Sequence, residues 1–162
     1  MLGQLTNLEI ERVLSEEVIG RIGCSDGETP YVVPITYAYD DDAIYAHTAD
    51  GLKLRLMRAN PNVCFEVDHM EDPANWHSVI ALGRFEELDG ADAAHGMSIL
   101  IERLRPLIVS ETSHMHDPHK ALVDHEGGRA GSKLTAMRTI VYRIELHTKT
   151  GRFERNADAS RR

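Results

Sequence analysis

The segment from His47 to Lys53 brings side chains that bind anions to the predicted start of a helix. A short strand over Ala43–His47 leads into Thr48, an Asp-Gly pair and a basic amphipathic helix over Gly51–Asn60. The first turn of a helix has unpaired N–H groups and a partial positive charge, so phosphate is a common occupant. Lys53 adds a full charge, and His47 and Thr48 can donate hydrogen bonds to phosphate oxygens. Taken alone, however, the segment is more typical of a solvated helix start than of a ligand site.

Pro34 interrupts a strand predicted over Tyr31–Tyr39, which is rich in β-branched and aromatic residues. Proline cannot donate to a ladder, so the strand needs an edge, a bulge or an interruption there. The free backbone groups beside Pro34 could hydrogen-bond the polar edge of a planar heterocycle. An edge-strand proline without a ligand is common, but its combination with the segment His47–Lys53 favours the ligand. The absence of a Walker loop and of GxGxxG disfavours nucleoside triphosphates and Rossmann-type dinucleotides.

The hydrophobic pattern predicts six strands and three helices. The strands are Glu17–Cys24, Tyr31–Tyr39, Ala43–His47, Asn62–Asp68, Trp76–Leu88 and Arg138–His147. Gly83 interrupts the fifth strand, as a bulge or as a close approach to another backbone, and the sixth alternates with Ile140, Tyr142, Ile144 and Leu146 on one face. The helices are Thr6–Ser15, in which Thr6 and Glu9 have capping-box spacing, Gly51–Asn60 and 91–105, the last with Ala94, Met97, Ile101 and Leu104 on its inner face. Hairpin-length connections and peripheral helices predict a mainly β fold, an antiparallel barrel rather than a parallel α/β sheet.

Length and charge narrow the class of protein further. The chain has 162 residues, the size of one domain over 1–162, with 106–136 as an insertion of helix or loop and 151–162 as a polar tail. The net charge of −8 disfavours nonspecific binding to nucleic acid or anionic membrane. Cys24 and Cys64 lie in apolar runs, which is typical of buried thiols in proteins of a reducing compartment. With no basic leader and no apolar membrane span, we expect a cytoplasmic protein.

The order of these motifs resembles that of a known family. The resemblance lies in "GRIGCSDGETPYVVPITYAYDDDAIYAHTADGLKLRLMRANPNVCFEVD" and the later "WHSVIALGRFEEL", with a weaker likeness in "RIELHTKTG". These segments are similar to the pyridoxamine 5'-phosphate oxidase-like flavin-binding proteins, in the branch related to nitroimidazole-resistance (flavin-nucleotide-binding) proteins. The pattern that carries the resemblance is a P-x-x-Y strand, a strand ending in His, a G-x-K helix, N-P, an apolar strand and S-V-x-x-x-G.

The resemblance implies a six-stranded antiparallel split β-barrel of Greek-key type and a homodimer with FMN between the subunits. It implies that the backbone of Val33, Pro34, Ile35 and Thr36 lies along the flavin ring. The positions that match the phosphate end and the face of the ring are His47, Thr48, Lys53 and Leu54. Ser78 matches a position near the ribityl chain or the ring, and Trp76 is expected to close the pocket from the other subunit.

The implied activity is that of an FMN-dependent oxidoreductase. Electrons would pass through the flavin to a small nitroaromatic or quinone-like acceptor, with a reduced nicotinamide cofactor as donor. His47 is the candidate catalytic side chain, as a proton donor or substrate contact. The basic residues that would bind the substrate phosphate of a true pyridoxamine phosphate oxidase are not matched, so oxidation of vitamin B6 is not expected. The alternative is a flavin-binding carrier or redox sensor without turnover.

A histidine-rich segment competes with this interpretation. It contains His114, His116, His119 and His125. Such density suggests a metal, but the spacing matches no standard zinc motif, so we predict no metal site and an ordinary polar loop. Because some split barrels bind haem and others a deazaflavin, both remain alternatives to FMN as cofactor, with a late histidine as the axial ligand of haem.

Overall fold

The computed structural model describes residues 1–107 and 139–156, and within them it contains eight β-strands and three α-helices. The strands are β1 (Leu2–Gln4), β2 (Ile19–Ser25), β3 (Pro30–Thr36), β4 (Ala38–Asp40), β5 (Ala43–Thr48), β6 (Asn62–Asp72), β7 (Asn75–Glu87) and β8 (Ile140–Glu154). The helices are α1 (Asn7–Glu16), α2 (Leu52–Ala59) and α3 (Gly90–Leu104), the last continued by a 3-10 turn over Arg105–Leu107.

The sheet closes on itself because its two edge strands are neighbours in the chain. Its hydrogen-bonded order is β3-β2-β6-β7-β8-β5-β4, every pair is antiparallel, and β1 pairs with β8 off this path. β3 and β4 stand at opposite ends of this order, yet Tyr37 alone separates them in the sequence. The sheet must therefore curl until its edges meet. The predicted antiparallel split barrel with peripheral helices is confirmed, although the described residues form eight strands rather than six.

Tyr37 anchors this closure from inside the core. Its side chain is fully buried, its hydroxyl donates to the carbonyl of Leu14 at 2.9 Å, and its ring meets Phe65 edge-on at 4.9 Å between centroids. Its backbone N–H donates to the carbonyl of Val18 at 2.9 Å. A buried tyrosine is stable when its hydroxyl has a partner, and this bond ties the strand junction to α1. The strand expected over Tyr31–Tyr39 is therefore divided into β3 and β4 at Tyr37.

Helix α1 begins where its sequence predicted. Thr6 is the N-cap: its hydroxyl accepts from the N–H of Glu9 at 3.3 Å, and the Glu9 carboxylate accepts from the N–H of Thr6 at 2.8 Å. The two bonds form the expected capping box, which satisfies two N–H groups that the first turn leaves open. Ile10, Val13 and Leu14 are the buried residues of this helix.

Gly83 lies where strands β7 and β8 change register. The pairing shifts between Leu82 and Gly83, and a Cβ atom at Gly83 would stand 2.6 Å from Ile144 Cγ2 and 2.8 Å from the carbonyl oxygen of Glu145. A side chain does not fit in that space, so the irregularity needs glycine. Both roles that the sequence suggested for Gly83, a bulge and a close backbone approach, are present.

Helix α3 packs on a face that differs from the predicted one. Its buried residues are Gly96 and Leu100, whereas Ala94 is exposed. A Cβ atom at Gly96 would lie 3.1 Å from both Leu88 and Tyr45, so the missing side chain lets the helix approach closely on that side. The predicted stripe was wrong at Ala94, because it counted apolar side chains and omitted the glycine, whereas Met97 and Leu104 pack against the core as predicted.

Strand β8 is longer than expected at its C-terminal end. It continues to Glu154, four residues into the stretch 151–162 that was expected to be a polar tail. Gly151 is buried there, and its carbonyl accepts from the N–H of Leu5 at 3.0 Å. Residues 157–162 and most of the predicted insertion 106–136 lie outside the described residues. In the described part, no helix is long and apolar enough to cross a membrane.

Candidate functional site

The start of α2 is held in place by the core while its first turn faces outward. Leu54 and Met57 are fully buried, so the helix is fixed along its inner side. Gly51 is the N-cap and offers no side-chain hydrogen bond to the first turn. The N–H groups of this turn are therefore left for water or an anion. Leu54 as a whole has no exposed surface in the single chain, so its place here is that of a core residue that holds α2.

Lys53 projects from this first turn into a partly desolvated position. Its Nζ lies 5.9 Å from the centroid of the Tyr142 ring, and the nearby thiol of Cys24 also acts on it electrostatically. Desolvation lowers the pKa of Lys53 below its usual value. Among the described residues, no carboxylate lies within ion-pair distance of this ammonium. A half-buried cation without a carboxylate is unfavourable unless an anion from outside compensates it.

The end of β5 lies beside Lys53. Ala46 pairs with Tyr142 of β8, and His47 and Thr48 are the next two residues of β5. His47 is exposed, and the Thr48 hydroxyl donates to the carbonyl of Ala49 at 3.0 Å. The Thr48 hydroxyl could therefore donate to a phosphate only after it rotates away from Ala49. In its present orientation, the hydroxyl oxygen can still accept a hydrogen bond.

Strand β3 forms one edge of the sheet, as its proline required. Pro34 is exposed and stands opposite Arg21 of β2, and the side chain of Ile35 is buried. The expected edge position of Pro34 is confirmed. On the side away from β2, the backbone around Pro34 is not part of the strand order, which leaves it for contacts of another kind. Val33 is half-buried and Thr36 is exposed.

Lys53 has neighbours on two strands that are not adjacent in the sheet. Cys24, which acts on Lys53, stands opposite Tyr31 of β3, two residues before Val33. Tyr142, whose ring faces Lys53, stands opposite Ala46 of β5. The start of α2 thus has neighbours on β2 and β8, which are the strands next to β3 and β5 in the sheet.

Within one chain, Trp76 and Ser78 lie on β7 away from Tyr142, the neighbour of Lys53. On β8, Tyr142 pairs with Glu87 of β7, whereas Glu154 pairs with Trp76. Twelve residues separate Tyr142 from Glu154, a contour length of about 40 Å at about 3.3 Å per residue. Trp76 is half-buried, and its indole N–H donates to Glu154 at 3.3 Å. Trp76 therefore lies at the end of the β7–β8 ribbon away from Tyr142. The β3 segment is nearer to Ser78, because Pro34, Arg21, Glu66 and Ile80 stand opposite one another in one row across the sheet.

The outward face of the sheet carries exposed apolar side chains beside the charges of Arg21, Glu66 and Asp68. The exposed fraction is 58% for Ile19, 48% for Ile80 and 45% for Leu82, all on sheet strands. Next to them is a cavity of ≈ 460 Å³ whose lining includes Cys64 and His147. Ile19, Ile80 and Leu82 are among the large apolar side chains with the greatest exposure on the sheet.

Other ionisable groups on the sheet have structural partners. Arg21 forms ion pairs with Glu66, at 2.9 Å, and with Asp68. Glu86 and Glu87 each bind an arginine, from β8 and α2 respectively, at 2.7 and 2.8 Å. None of these groups is directed toward Lys53 by a described contact.

Cys24 and Cys64 remain free thiols, and burial raises the pKa of both. Cys64 stands opposite Gly23, so Cys24 and Cys64 point to opposite faces of the sheet and cannot form a disulfide with each other. His114, His116, His119 and His125 lie outside the described residues. Within residues 1–107 and 139–156, no three His, Cys, Asp or Glu side chains are grouped to hold a metal ion.

Tyr142 lies next to the candidate site, and the sequence did not identify it as a neighbour of that site. Its place in an alternating strand marked it as a core residue, and the pairing of β5 with β8 was needed to bring it to Lys53. A sequence shows which strand residues share a face, but not which strands become neighbours.

Comparison with known proteins gives two sequence matches. A model of the family described as pyridoxamine 5'-phosphate oxidase matches residues 6–153. An uncharacterized protein of Rhizobium meliloti (strain 1021) is 32% identical over 87 residues, which are 54% of this chain and 58% of that protein. The chain thus matches little more than half the length of this relative.

Two solved structures share the fold. A FAD-binding protein of Mesorhizobium loti is 29% identical, with a TM-score of 0.71 over 94% of this chain and 98% of that one. A candidate 5-nitroimidazole antibiotic resistance protein of Bacteroides thetaiotaomicron is 18% identical, with a TM-score of 0.65 over 94% and 87% of the two chains. Together with the family match over residues 6–153, they lead to one conclusion: the chain belongs to the pyridoxamine 5'-phosphate oxidase family.

Proposed function

We propose that this protein binds a flavin, with the flavin phosphate at the start of α2. The observation that carries the proposal is Lys53, a partly desolvated cation at an uncapped helix start with no carboxylate beside it among the described residues. A phosphate would satisfy the helix N–H groups and the ammonium together. The Mesorhizobium loti relative, described as FAD-binding, supports a flavin as the molecule that carries this phosphate.

FMN is the flavin that we propose, bound between two copies of the chain. The backbone of Val33–Thr36 would lie along its ring, and His47, Thr48 and Lys53 would surround its phosphate end. The face with Ile19, Ile80 and Leu82 is suited to a homodimer contact, since these side chains are about half exposed in one chain. Trp76 and Ser78 would then reach the cofactor from the partner.

The proposed activity is oxidoreduction of a small nitroaromatic or quinone-like acceptor in the cytoplasm. A bound flavin supplies hydride or electron transfer, and the chain supplies position and charge. His47 is exposed beside the start of α2, and an imidazole can release or take up a proton near neutral pH. We propose that His47 donates the proton that the acceptor takes up. A carrier or sensor without turnover would use the same cradle.

The test of the phosphate cradle is a titration of cofactor-free protein with FMN and with riboflavin. Charged hydrogen bonds contribute about 1.5–3 kcal/mol, so we expect Lys53→Met to weaken FMN binding roughly 10- to 100-fold. Riboflavin has no phosphate and should bind the variant as it binds the native protein. Arg55→Met is the matched control, because Arg55 is an exposed cation two residues further along the same helix. Equal FMN affinity in native protein and Lys53→Met would refute the cradle.

Identity of the cofactor and turnover are separate measurements. The visible spectrum of the purified protein, with the released molecule identified by mass, distinguishes FMN from FAD, deazaflavin and haem. Oxidation of a reduced nicotinamide cofactor in the presence of a nitroaromatic or quinone distinguishes an oxidoreductase from a carrier. Flavin without turnover over a panel of acceptors would favour the carrier.

A further inference from the structure

Tyr142 is a buried residue of the barrel core that also borders Lys53. Its side chain has no exposed surface and packs against Phe85, with 5.5 Å between ring centroids. Its hydroxyl is buried and has no hydrogen-bond partner among the described residues. A buried hydroxyl without a partner is unfavourable, and phenylalanine would fill the same space without it. The ring also has a second neighbour, the ammonium of Lys53 at 5.9 Å.

An aromatic ring and a carboxylate hold a lysine in different ways. The face of the ring attracts the ammonium through its quadrupole but carries no net charge, so the positive charge remains available to an anion. A carboxylate at the same place would neutralise the lysine and repel a phosphate. Among the described residues, the ring of Tyr142 on β8 lies 5.9 Å from the ammonium, and the thiol of Cys24 on β2 is near enough to interact with it electrostatically. Burial raises the pKa of both, so both are uncharged at neutral pH.

We propose that Tyr142 is a positioning residue for Lys53: its ring holds the ammonium at the start of α2 and leaves the charge free for the phosphate of a ligand. The inference rests on the proposed function, in which Lys53 binds the flavin phosphate. The ring, and not the hydroxyl, is the active part. Tyr142 does not touch the ligand in this proposal, and it acts through Lys53 alone.

The test compares two variants of Tyr142 with two ligands. Tyr142→Phe keeps the ring and should bind FMN within about twofold of the native protein. Tyr142→Leu removes the ring, and since cation–π contacts contribute about 0.5–2 kcal/mol, FMN affinity should fall about 2- to 30-fold. Riboflavin affinity should be unchanged in both. In a Lys53→Met background, Tyr142→Leu should have no further effect on FMN, because the interaction it disturbs is already absent.

Three results would overturn the inference. An equal loss of FMN and riboflavin affinity in Tyr142→Leu would show a general structural role. An equal loss in Tyr142→Phe and Tyr142→Leu would place the effect on the hydroxyl. Unchanged FMN affinity in Tyr142→Leu would show that the ring does not position Lys53.

The contact itself can be measured without flavin, which separates this inference from the proposed function. The Lys53 CεH₂ protons should show an upfield ring-current shift in the NMR spectrum of cofactor-free protein. The shift should persist in Tyr142→Phe and disappear in Tyr142→Leu. If Tyr142→Leu does not fold, the native spectrum decides, because unshifted Lys53 protons there refute the contact. A native protein that shows the shift but binds no flavin would refute the proposed function and keep the contact.

Discussion

A site shared between two subunits should show complementation between variants that are each defective. Tyr142, the neighbour of Lys53, and Trp76 lie at opposite ends of the β7–β8 ribbon, about 40 Å apart along the strand, and no described contact joins Lys53 to Trp76 within one chain. In the proposed dimer, each flavin would touch Lys53 of one chain and Trp76 of the other. Lys53→Met and Trp76→Ala would then damage the same site from different subunits.

The magnitude follows from the symmetry of the dimer. A mixed dimer of Lys53→Met and Trp76→Ala has one site with both defects and one site with neither. Random exchange at equal concentrations makes about half of the dimers mixed, so about a quarter of all sites become native. If each site took both residues from one chain, every site would keep one defect and none would recover.

The assay is FMN binding after subunit exchange. Each variant is purified and titrated alone, the two are mixed under mild denaturant, and the denaturant is removed before a second titration. We expect a high-affinity phase that amounts to about a quarter of the sites, at the native dissociation constant. Self-mixing of each variant is the control. A mixture that exchanges, as shown by two mass tags, but has no high-affinity phase would refute the shared site.

The remaining predictions concern pH, assembly and packing. Because the lowered pKa of Lys53 brings loss of its charge closer to neutrality, FMN affinity measured by fluorescence should fall as the pH rises from 7 toward 10, with riboflavin affinity constant. Ile80→Asp should convert a dimer to a monomer in sedimentation, whereas Leu8→Asp, at an 84% exposed position on α1, should not. In Gly20→Ala the new Cβ would stand 2.4 Å from Phe65 Cζ, so chemical denaturation should show a loss of about 1–3 kcal/mol.

Local sequence patterns predicted most of the helices and strands. The strand segments that were missed depend on contacts between residues far apart in the sequence. The alternation from Ile140 onward gave the inner face of β8, and the capping box at Thr6 gave the start of α1. The N-terminal strand Leu2–Gln4 was not predicted, because three residues are too few for a period and their pairing with β8 is 150 residues away. The extension of β8 through the polar residues after His147 was missed for the same reason.

The candidate site was predictable in its residue types and not in its assembly. The start of α2 and the edge position of Pro34 follow from local chemistry of glycine, lysine and proline. The neighbours of Lys53 do not, because Tyr142 reaches it only through the order of strands in the closed sheet. The register of β7 and β8 also places Trp76 far along the ribbon from Tyr142, the neighbour of Lys53. A short sequence motif does not contain this information.

The pairing of β1 with β8 has a consequence for synthesis of the protein. The first strand must wait for a partner at Arg152–Glu154, which leaves the ribosome some 150 residues later. Leu5 therefore spends most of translation without the surface that covers it, and the barrel cannot close before its last strand emerges. Long-range pairing of this kind makes folding slow and leaves apolar strands open to association meanwhile. Expression yield should thus depend on temperature and on chaperones more than the stability of the finished barrel would suggest.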